Sequence, residues 1–438
     1  MSTLLLPPPT AVQRANFRDL YLDVAWFGVL SGSAMSFLSV YATRLGASAF
    51  EIGLLNAGPA VINLLITLPA GRWLEERSLT QATFLSSLWH RLGYVMLMIL
   101  PWLLAGPAQV SGIIWVTLAM SLPGTVLAIS FNAMFAEVVP PEWRGHVVGR
   151  RNALIAITST LTALLSGRIL DRLAFPLNYQ LVFAIGALGA LMSSYHLGRL
   201  RPRSVWPKLS NDAVRRGWRA FAHWLGTWRS RLRQKPRPHG GGKPLLRLDV
   251  LSGAFGPLLA GYLLFYTFQY TALPLFPLYN VRELKLSDGA ISIGSALFNA
   301  FIMLGSLRMG VIPRRLGNRR ALWIGALLFG QYPLLLGLAR NSLMYWAASV
   351  SGGLVWALLT VGLINRLMER VPEDDRPAHM AWHNVALNLG ILIGSFLGPA
   401  MGDWLGLRTA LFVSSGLRLL AGLMFKVLDR PDEAEDKS

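Results

Sequence analysis

The sequence predicts an all-α integral membrane protein of twelve transmembrane helices in a 6+6 pseudo-symmetric bundle. Three observations carry this. Of 438 residues, 53% are hydrophobic and only 14% charged, with mean hydropathy +0.45, whereas a water-soluble domain carries nearer a quarter charged residues. Apolar stretches of about 20 residues, each long enough to cross a hydrocarbon core of roughly 30 Å, recur along the chain. The two halves of the chain also repeat one another.

The chain opens on a Pro-rich lead (Pro7, Pro8, Pro9) with no basic start and no small-residue cleavage site, so no cleaved signal peptide is expected. Twelve spans are read at 18–42, 50–74, 79–104, 109–137, 147–174, 178–198, 250–280, 288–312, 319–339, 342–368, 379–403 and 408–428. Most lack the polar face at 3.6-residue spacing that a soluble helix needs. Between the sixth and seventh the composition changes: 199–249 holds fourteen Lys and Arg against only Asp212 and Asp249. The predicted division is a six-helix half at 1–198, a basic linker at 199–249 and a second six-helix half at 250–438.

Charge placement sets the predicted orientation. Connectors on the linker's side contain Arg72, Arg77, Arg144, Arg150, Arg151, Arg314, Arg315, Arg319, Arg320, Arg366, Arg370 and Arg376. Opposite connectors hold only Arg44, Arg168, Arg172, Arg282, Lys285, Arg340 and Arg408. The positive-inside rule puts both termini in the cytoplasm of a prokaryotic-type inner membrane, and the net charge of +19 then needs no nucleic acid. The absence of cysteine excludes disulfide scaffolds, thiolate metal sites and cysteine nucleophiles.

Inside the linker, Val214, Trp218, Phe221, Leu225, Trp228 and Leu232 recur at spacings of four and three, with Arg215, Arg216, Arg219, His223, Arg229 and Arg233 around them. Two readings stand: an in-plane helix held at the anionic inner leaflet, which makes anionic lipid a partner, or a basic helix packed on the cytoplasmic face of the bundle.

The repeat is explicit. A shift of 232 aligns Glu137 with Glu369, Pro140 with Pro372, Arg144 with Arg376, Asn152 with Asn384 and Asp171 with Asp403. A shift of 239 aligns Ile52 with Ile291, Ala57 with Ala296, Leu65 with Leu304 and Gly71 with Gly310. Two parallel six-helix repeats follow. The connector after span 8 reads GVIPRRLGNRR from Gly310, with Arg314, Gly317 and Arg319; its first-half copy, GRWLEERS from Gly71, keeps an acid at Glu75. This resembles the cytoplasmic loop motif G-x-L-x-D-R-x-G-R-R of the major facilitator superfamily, with Arg314 where the acid would stand. Glu137, Pro140, Glu142, Arg144 and Gly145 likewise resemble the superfamily's acid-P-x-x-x-R-G signature after span 4, echoed by Glu369, Pro372, Asp374 and Arg376.

The resemblance implies that spans 1, 4, 7 and 10 line a central cavity, that 2, 5, 8 and 11 join the halves, that 3, 6, 9 and 12 face lipid, and that the halves rock to give alternating access. It gives Glu75 a gating role that Arg314 cannot take. Span 11, with Gly390, Gly394, Gly398, Pro399 and Gly402, resembles the superfamily's antiporter motif displaced from span 5, so close packing at the repeat interface is the expected role.

An ionisable group at mid-span costs at least about 2.5 kcal/mol, so each needs a reason. Asp23 lies in span 1, followed by Trp26 and Phe27, and reads either as a proton carrier or substrate counter-ion, or as an interfacial acid paired with a base. Arg91, mid-span in span 3, is expected to turn inward to Asp23; His90 and Arg418 also fall mid-span. Further cavity candidates are Asn132 in span 4, Tyr262, Tyr266, Gln269 and Tyr270 in span 7, and Trp356 and Thr360 in span 10. Tyr262, Tyr266 and Tyr270 share one helix face, which binds an amphipathic substrate or simply packs. Gly240, Gly241, Gly242 and Lys243 lack the rest of a phosphate loop, and His379 with His383 lacks the acid of a zinc-protease pattern. The expected function is secondary active transport of a small organic molecule by a monomer without a bound cofactor, coupled to protons. Uniport, lipid scrambling and an integral membrane enzyme are the alternatives; no convergent nucleophile or acid–His cluster supports the last.

Overall fold

The computed structural model describes residues 8–74, 77–201, 247–306, 317–372 and 375–429. The linker helix around Trp218 and Trp228, and the loop residues Glu75, Gly310 and Arg314, lie outside these. The described residues are almost wholly helical. The first half comprises α1 (Ala11–Arg44), α2 (Ala49–Leu74), α3 (Leu79–Leu103), α4 (Pro107–Val138), α5 (Pro141–Arg172) and α6 (Leu177–Gly198). The second comprises α7 (Phe255–Ala272, continued by Leu275–Leu278 and a π-turn at Tyr279–Glu283), α8 (Asp288–Ser306), α9 (Asn318–Leu338), α10 (Ser342–Arg370), α11 (Arg376–Leu405) and α12 (Leu407–Leu428).

Eleven of these are long and apolar enough to cross a membrane. The exception, α7, is the predicted seventh span: Tyr262, Tyr266, Gln269 and Tyr270 dilute its apolarity and Pro274 interrupts it. Its partner in the first half, α1, is also irregular, with a π-turn at Ser31–Met35 where Gly32 would place a Cβ 2.2 Å from the Ser159 carbonyl of α5. Such π-turns often mark functional segments.

Helix starts follow local chemistry. Thr10 and Gln13 form a capping box on α1. Pro141 opens α5, where its missing N–H needs no partner. This moves α5 six residues ahead of the predicted span, so Arg144 stands on a helix and not in a loop. Gly317 opens α9 at φ +79°, a conformation that favours glycine.

The halves meet through α2 against α11 and α5 against α8, the four helices that the family resemblance puts at the junction. They close unequally. We call proximal the end at which α1 begins and α12 finishes, and distal the opposite end. α1 meets α7 through distal segments, Ser36–Arg44 against Leu275–Leu278 and Tyr279–Glu283. At the same end Arg44 donates to Asp288 at 3.1 and 3.3 Å and to the Leu286 carbonyl at 2.6 Å. The Tyr179 hydroxyl donates to the other Asp288 oxygen at 2.9 Å, Arg282 donates to the Ala47 carbonyl, and Asp171 accepts from the Gly289 N–H and the Ser287 hydroxyl. Midway, Asn63 donates to Asn388 at 3.3 Å and accepts from Thr125.

The glycines of α11 pack closely, but their partner corrects the expectation. A Cβ on Gly390, Gly394 or Gly398 would meet Tyr266, the Thr267 carbonyl or the Thr271 carbonyl, all on α7 within the same half. Across the repeat interface close approaches are made by Gly53 of α2, against the Ser395 carbonyl and Pro399, and by Gly167 of α5, against Ser292 of α8.

Candidate functional site

The first half buries a polar cluster in the packing layer between α1, α3, α5 and α6. Asp19 and Asp23 lie one turn apart on α1 and therefore share a face. Asp23 is 3% exposed. One of its oxygens accepts from the Ser193 hydroxyl of α6 and sits 3.7 Å from an Arg91 nitrogen of α3; the other lies 3.4 Å from Arg151 of α5. Arg91, itself 4% exposed, also donates to Ser194, which accepts from Ser87. Arg151 lies over the Phe131 and Phe135 rings of α4, 4.6 and 5.5 Å from their centroids. Four helices thus converge on one carboxylate. Toward the proximal end, Asp19 faces His196 at 3.0 Å and Arg199 at 3.8 Å.

The inward turn of Arg91 toward Asp23 matches the sequence reading. Arg151, Asp19, Ser193 and His196 were not anticipated. Arg151 counts among the connector charges although it falls inside the fifth predicted span, where Val147, Arg151 and Leu154 lie along one side of α5. Asp19 and His196 fell at the predicted span edges, where ionisable residues are ordinary. His90, beside Arg91, is structural: its ring contacts the Met120 carbonyl at 2.8 Å and Tyr94 edge-on.

The second half places its candidates differently. Tyr262 is fully buried, donates to the Leu363 carbonyl and packs on Phe425 and His383, so it stands inside the half-bundle and not on a cavity wall. Tyr266 reaches His383 at 3.0 Å, and Tyr270 is half-buried. The backbone carbonyl of Gln269 accepts from Arg418 at 2.9 Å while its side-chain oxygen has no protein partner. Trp356 packs on Phe329 with the rings tilted, and the Thr360 hydroxyl bonds back to its own helix. Asn132 is exposed on α4.

Arg418 is 1% exposed although α12 is nominally peripheral. Its guanidinium lies 4.6 Å from the Phe329 ring and 5.8 Å from Phe276, and two of its nitrogens have no protein partner. No carboxylate pairs with it among the described residues. Arg91 and Arg151 are thus buried beside an acid, whereas Arg418 is buried against aromatic faces.

At the proximal end the loop-motif residues serve as helix-end chemistry. Arg144 donates to the Ala136 and Val139 carbonyls that finish α4. Arg319 donates to the Lys426 and Asp429 carbonyls that finish α12. Glu369 accepts from Asn318 and Arg366, and Arg366, 1% exposed, grips Asp429 with two bonds of 2.7 and 3.0 Å. Glu137 is half-buried, Arg376 exposed, and Gly71 has open space around it. Arg247, where the linker enters α7, pairs with Asp249 and Asp375; the bond to Asp249 is the main cause that raises its pKa above the ordinary value.

Comparison with known proteins bears on this architecture. The family model described as Major Facilitator Superfamily matches residues 24–259 and 258–438. The quinolone resistance protein NorA of Staphylococcus aureus (strain MRSA252) is 22% identical over 156 residues, 36% of this chain; the match spans only 40% of that relative's length. Among solved structures, the D-xylose-proton symporter aligns at TM-score 0.68 and 14% identity over 95% of this chain and 97% of its own. The xylose transporter XylE from E. coli, in a partially occluded inward-open conformation, aligns at 0.66 and 14% over 97% and 99%. The nucleoside transporter NupG aligns at 0.63 and 11% over 97% and 100%. These likenesses show the fold, and the sequence model covers nearly the whole chain. With twelve long helices among the described residues, in two repeats joined through α2–α11 and α5–α8, the chain belongs to the major facilitator superfamily.

Proposed function

We propose that the chain is a secondary active transporter that moves a small organic molecule across the cytoplasmic membrane by alternating access, coupled to protons. Both termini and the 199–249 linker stand in the cytoplasm, between a six-helix half at 1–198 and another at 250–438. The chain acts as a monomer. With this orientation, distal closure and proximal separation of α1 from α7 are the inward-facing state.

The observation that carries the reading is the single carboxylate of Asp23 shared by Arg91 and Arg151. A proton on Asp23 leaves two guanidiniums with no counter-charge beside them, and at the low effective dielectric of such a site their repulsion is large. Arg151 belongs to α5, which packs on α8 and carries Asp171 to the distal contact with Ser287 and Gly289. Protonation at one site thereby biases the contact that closes the other. Asn132, Gln269, Tyr270, Trp356 and Thr360 are the residues we assign to the substrate; Tyr262 and Tyr266 support them from behind.

The test begins with ligand-induced thermal shifts over a panel of metabolites and drugs, then measures transport of the selected compound in proteoliposomes. An imposed pH gradient should drive accumulation above the equilibrium level, and a protonophore should abolish it. Equilibration without accumulation under any gradient would instead establish uniport.

A further inference from the structure

A cavity of about 560 Å³ opens between α1 and α5 at the proximal end, within the range of about 300–1,000 Å³ typical of small-molecule sites. Asp19 and Asp23 point from α1 toward α3 and α6, so the opposite side of α1, with Arg14, Arg18 and Leu22, is turned to the space between the halves. Because α1 meets α7 only through distal segments, that space is open at this end. The cavity is therefore a wall of the proximal mouth.

Its chemistry is one-sided. Arg14 and Arg18 from α1 face His146 and Arg150 from α5, with Phe17, Tyr21 and Trp143 beside them and Leu22 and Leu154 deeper. No carboxylate lines it, although Asp19 and Glu142 neighbour Arg18 and Trp143 in sequence. The positive-inside rule counts Lys and Arg and is nearly indifferent to acids, so it does not explain their exclusion from this wall. Arg18 only grazes Asp19, at 4.0 Å, and Arg14, His146 and Arg150 have no ion-pair partner among the described residues. Each helix thus sets basic residues four apart on one face, which destabilises it unless an anion answers. Both helices also begin here, at Ala11 and Pro141, so the positive ends of their dipoles add to the same field, and Arg14 in the first turn of α1 has the unfavourable sign for its place.

We propose that the molecule carried by this chain is an organic anion with an aromatic or aliphatic body, held by this cavity at the proximal mouth of its path. Its carboxylate, sulfonate or phosphate sits among Arg14, Arg18, His146 and Arg150, and its apolar part lies against Phe17, Tyr21, Trp143 and Leu154. The assignment rests on the transporter reading and narrows its substrate class. An inorganic anion would leave the aromatic and aliphatic wall uncovered, and an organic cation would find no acid. A cleft of one charge sign concentrates ligands of the other, which suits a mouth that collects or delivers an anion.

Because the chain has no cysteine, Leu22→Cys, at a wall position 38% exposed, reads the field of the cavity from labelling rates of the full chain in neutral detergent. Anionic 2-sulfonatoethyl and cationic 2-(trimethylammonio)ethyl methanethiosulfonate are compared, with Ala108→Cys at the distal end giving their intrinsic ratio. The anionic preference at Leu22→Cys should exceed that ratio by about tenfold or more. It should vanish between about 0.01 and 1 M salt, as the Debye length falls from about 30 to about 3 Å, a test that needs no further substitution should a charge variant fail to fold. Uncharged methyl methanethiosulfonate then measures protection by 2-naphthoate, 2-naphthamide and 2-naphthylmethylammonium, which share one shape and differ in charge. Only 2-naphthoate should protect, and saturably; Arg14→Ala with Arg150→Ala should weaken it by about tenfold or more, and lysine at both positions should hold it within a few-fold. Failure of 2-naphthoate to protect, equal protection by all three, or equal protection by inorganic phosphate would overturn the proposal. Proteoliposome uptake separates it from the transporter reading. Movement of neutral or cationic compounds, indifferent to the alanine pair, would overturn the anion assignment and leave transport standing, whereas saturable 2-naphthoate protection in a chain that moves no compound would support the anion site and overturn transport.

Discussion

Replacing Asp288 by Asn removes the charge at the centre of the distal closure with little change in volume. The carboxylate, 9% exposed, takes two bonds from Arg44 and one from Tyr179, all three crossing between the halves. Hydrogen bonds to charged groups contribute roughly 1.5–3 kcal/mol and neutral ones about 1. Asn keeps one acceptor oxygen, and Arg44 keeps the Leu286 carbonyl, so the distally closed state should lose about 2 kcal/mol relative to the distally open one. That is roughly a thirtyfold change in their ratio. Because the chain has no cysteine, spin labels on Ala108→Cys and Leu343→Cys, at the distal starts of α4 and α10, report the separation of the halves without background. Double electron–electron resonance should show a longer-distance population growing in Asp288→Asn and absent from Asp403→Asn, an exposed acid on the same end. An unchanged distribution in Asp288→Asn, in protein shown to be folded, would refute the assignment of this cluster to closure.

Three further expectations follow from packing and charge. Gly398→Ala would put a Cβ 1.9 Å from the Thr271 carbonyl, so α7 and α11 must separate, and thermal unfolding should show about 2 kcal/mol or more of lost stability. Gly416→Ala, with nothing within 4 Å, should be neutral or stabilising; equal effects at both glycines would contradict the packing argument. Arg418→Met exchanges an acid-free buried cation for an apolar side chain of similar length, and the melting temperature should hold or rise; a marked drop would show that an anion compensates the charge. An impermeant thiol reagent should label Ala108→Cys from outside intact cells and spare Ser204→Cys, and the reverse pattern would invert the orientation.

Hydropathy located the membrane helices because burial in lipid is a property of whole segments. The twelve spans were legible for that reason, whereas the place of spans 2, 5, 8 and 11 at the junction came from the family resemblance and their pairing from the structure. What sequence could not resolve is which side of a helix a single residue takes. Arg151 falls at the start of the fifth predicted span and counts among the connector charges, and only the packing of α5 on α1 turns it to Asp23. Tyr262 and Tyr266 share a face, but that face looks into α11 and α12, since the close approach at Gly390 and Gly394 draws α7 against α11. Asp19 and His196 lie near the ends of α1 and α6, where composition alone gives a charged residue no reason to be paired. Arg418 was legible as an ionisable residue at mid-span, while its lack of an acid partner is a property of three packed helices.

Asp23→Asn tests the central claim most directly, because it fixes the carboxyl in its neutral form while leaving a side chain of nearly the same size between Arg91, Arg151 and Ser193. Removing one partner from a buried ion pair can cost about 3–5 kcal/mol, so folding and ligand-induced thermal shift are established first. In proteoliposomes the folded variant should then exchange labelled for unlabelled substrate across the membrane, yet fail to accumulate it under an imposed pH gradient that drives accumulation by the parent chain. Full pH-driven accumulation by Asp23→Asn would contradict the account and move coupling away from this carboxylate.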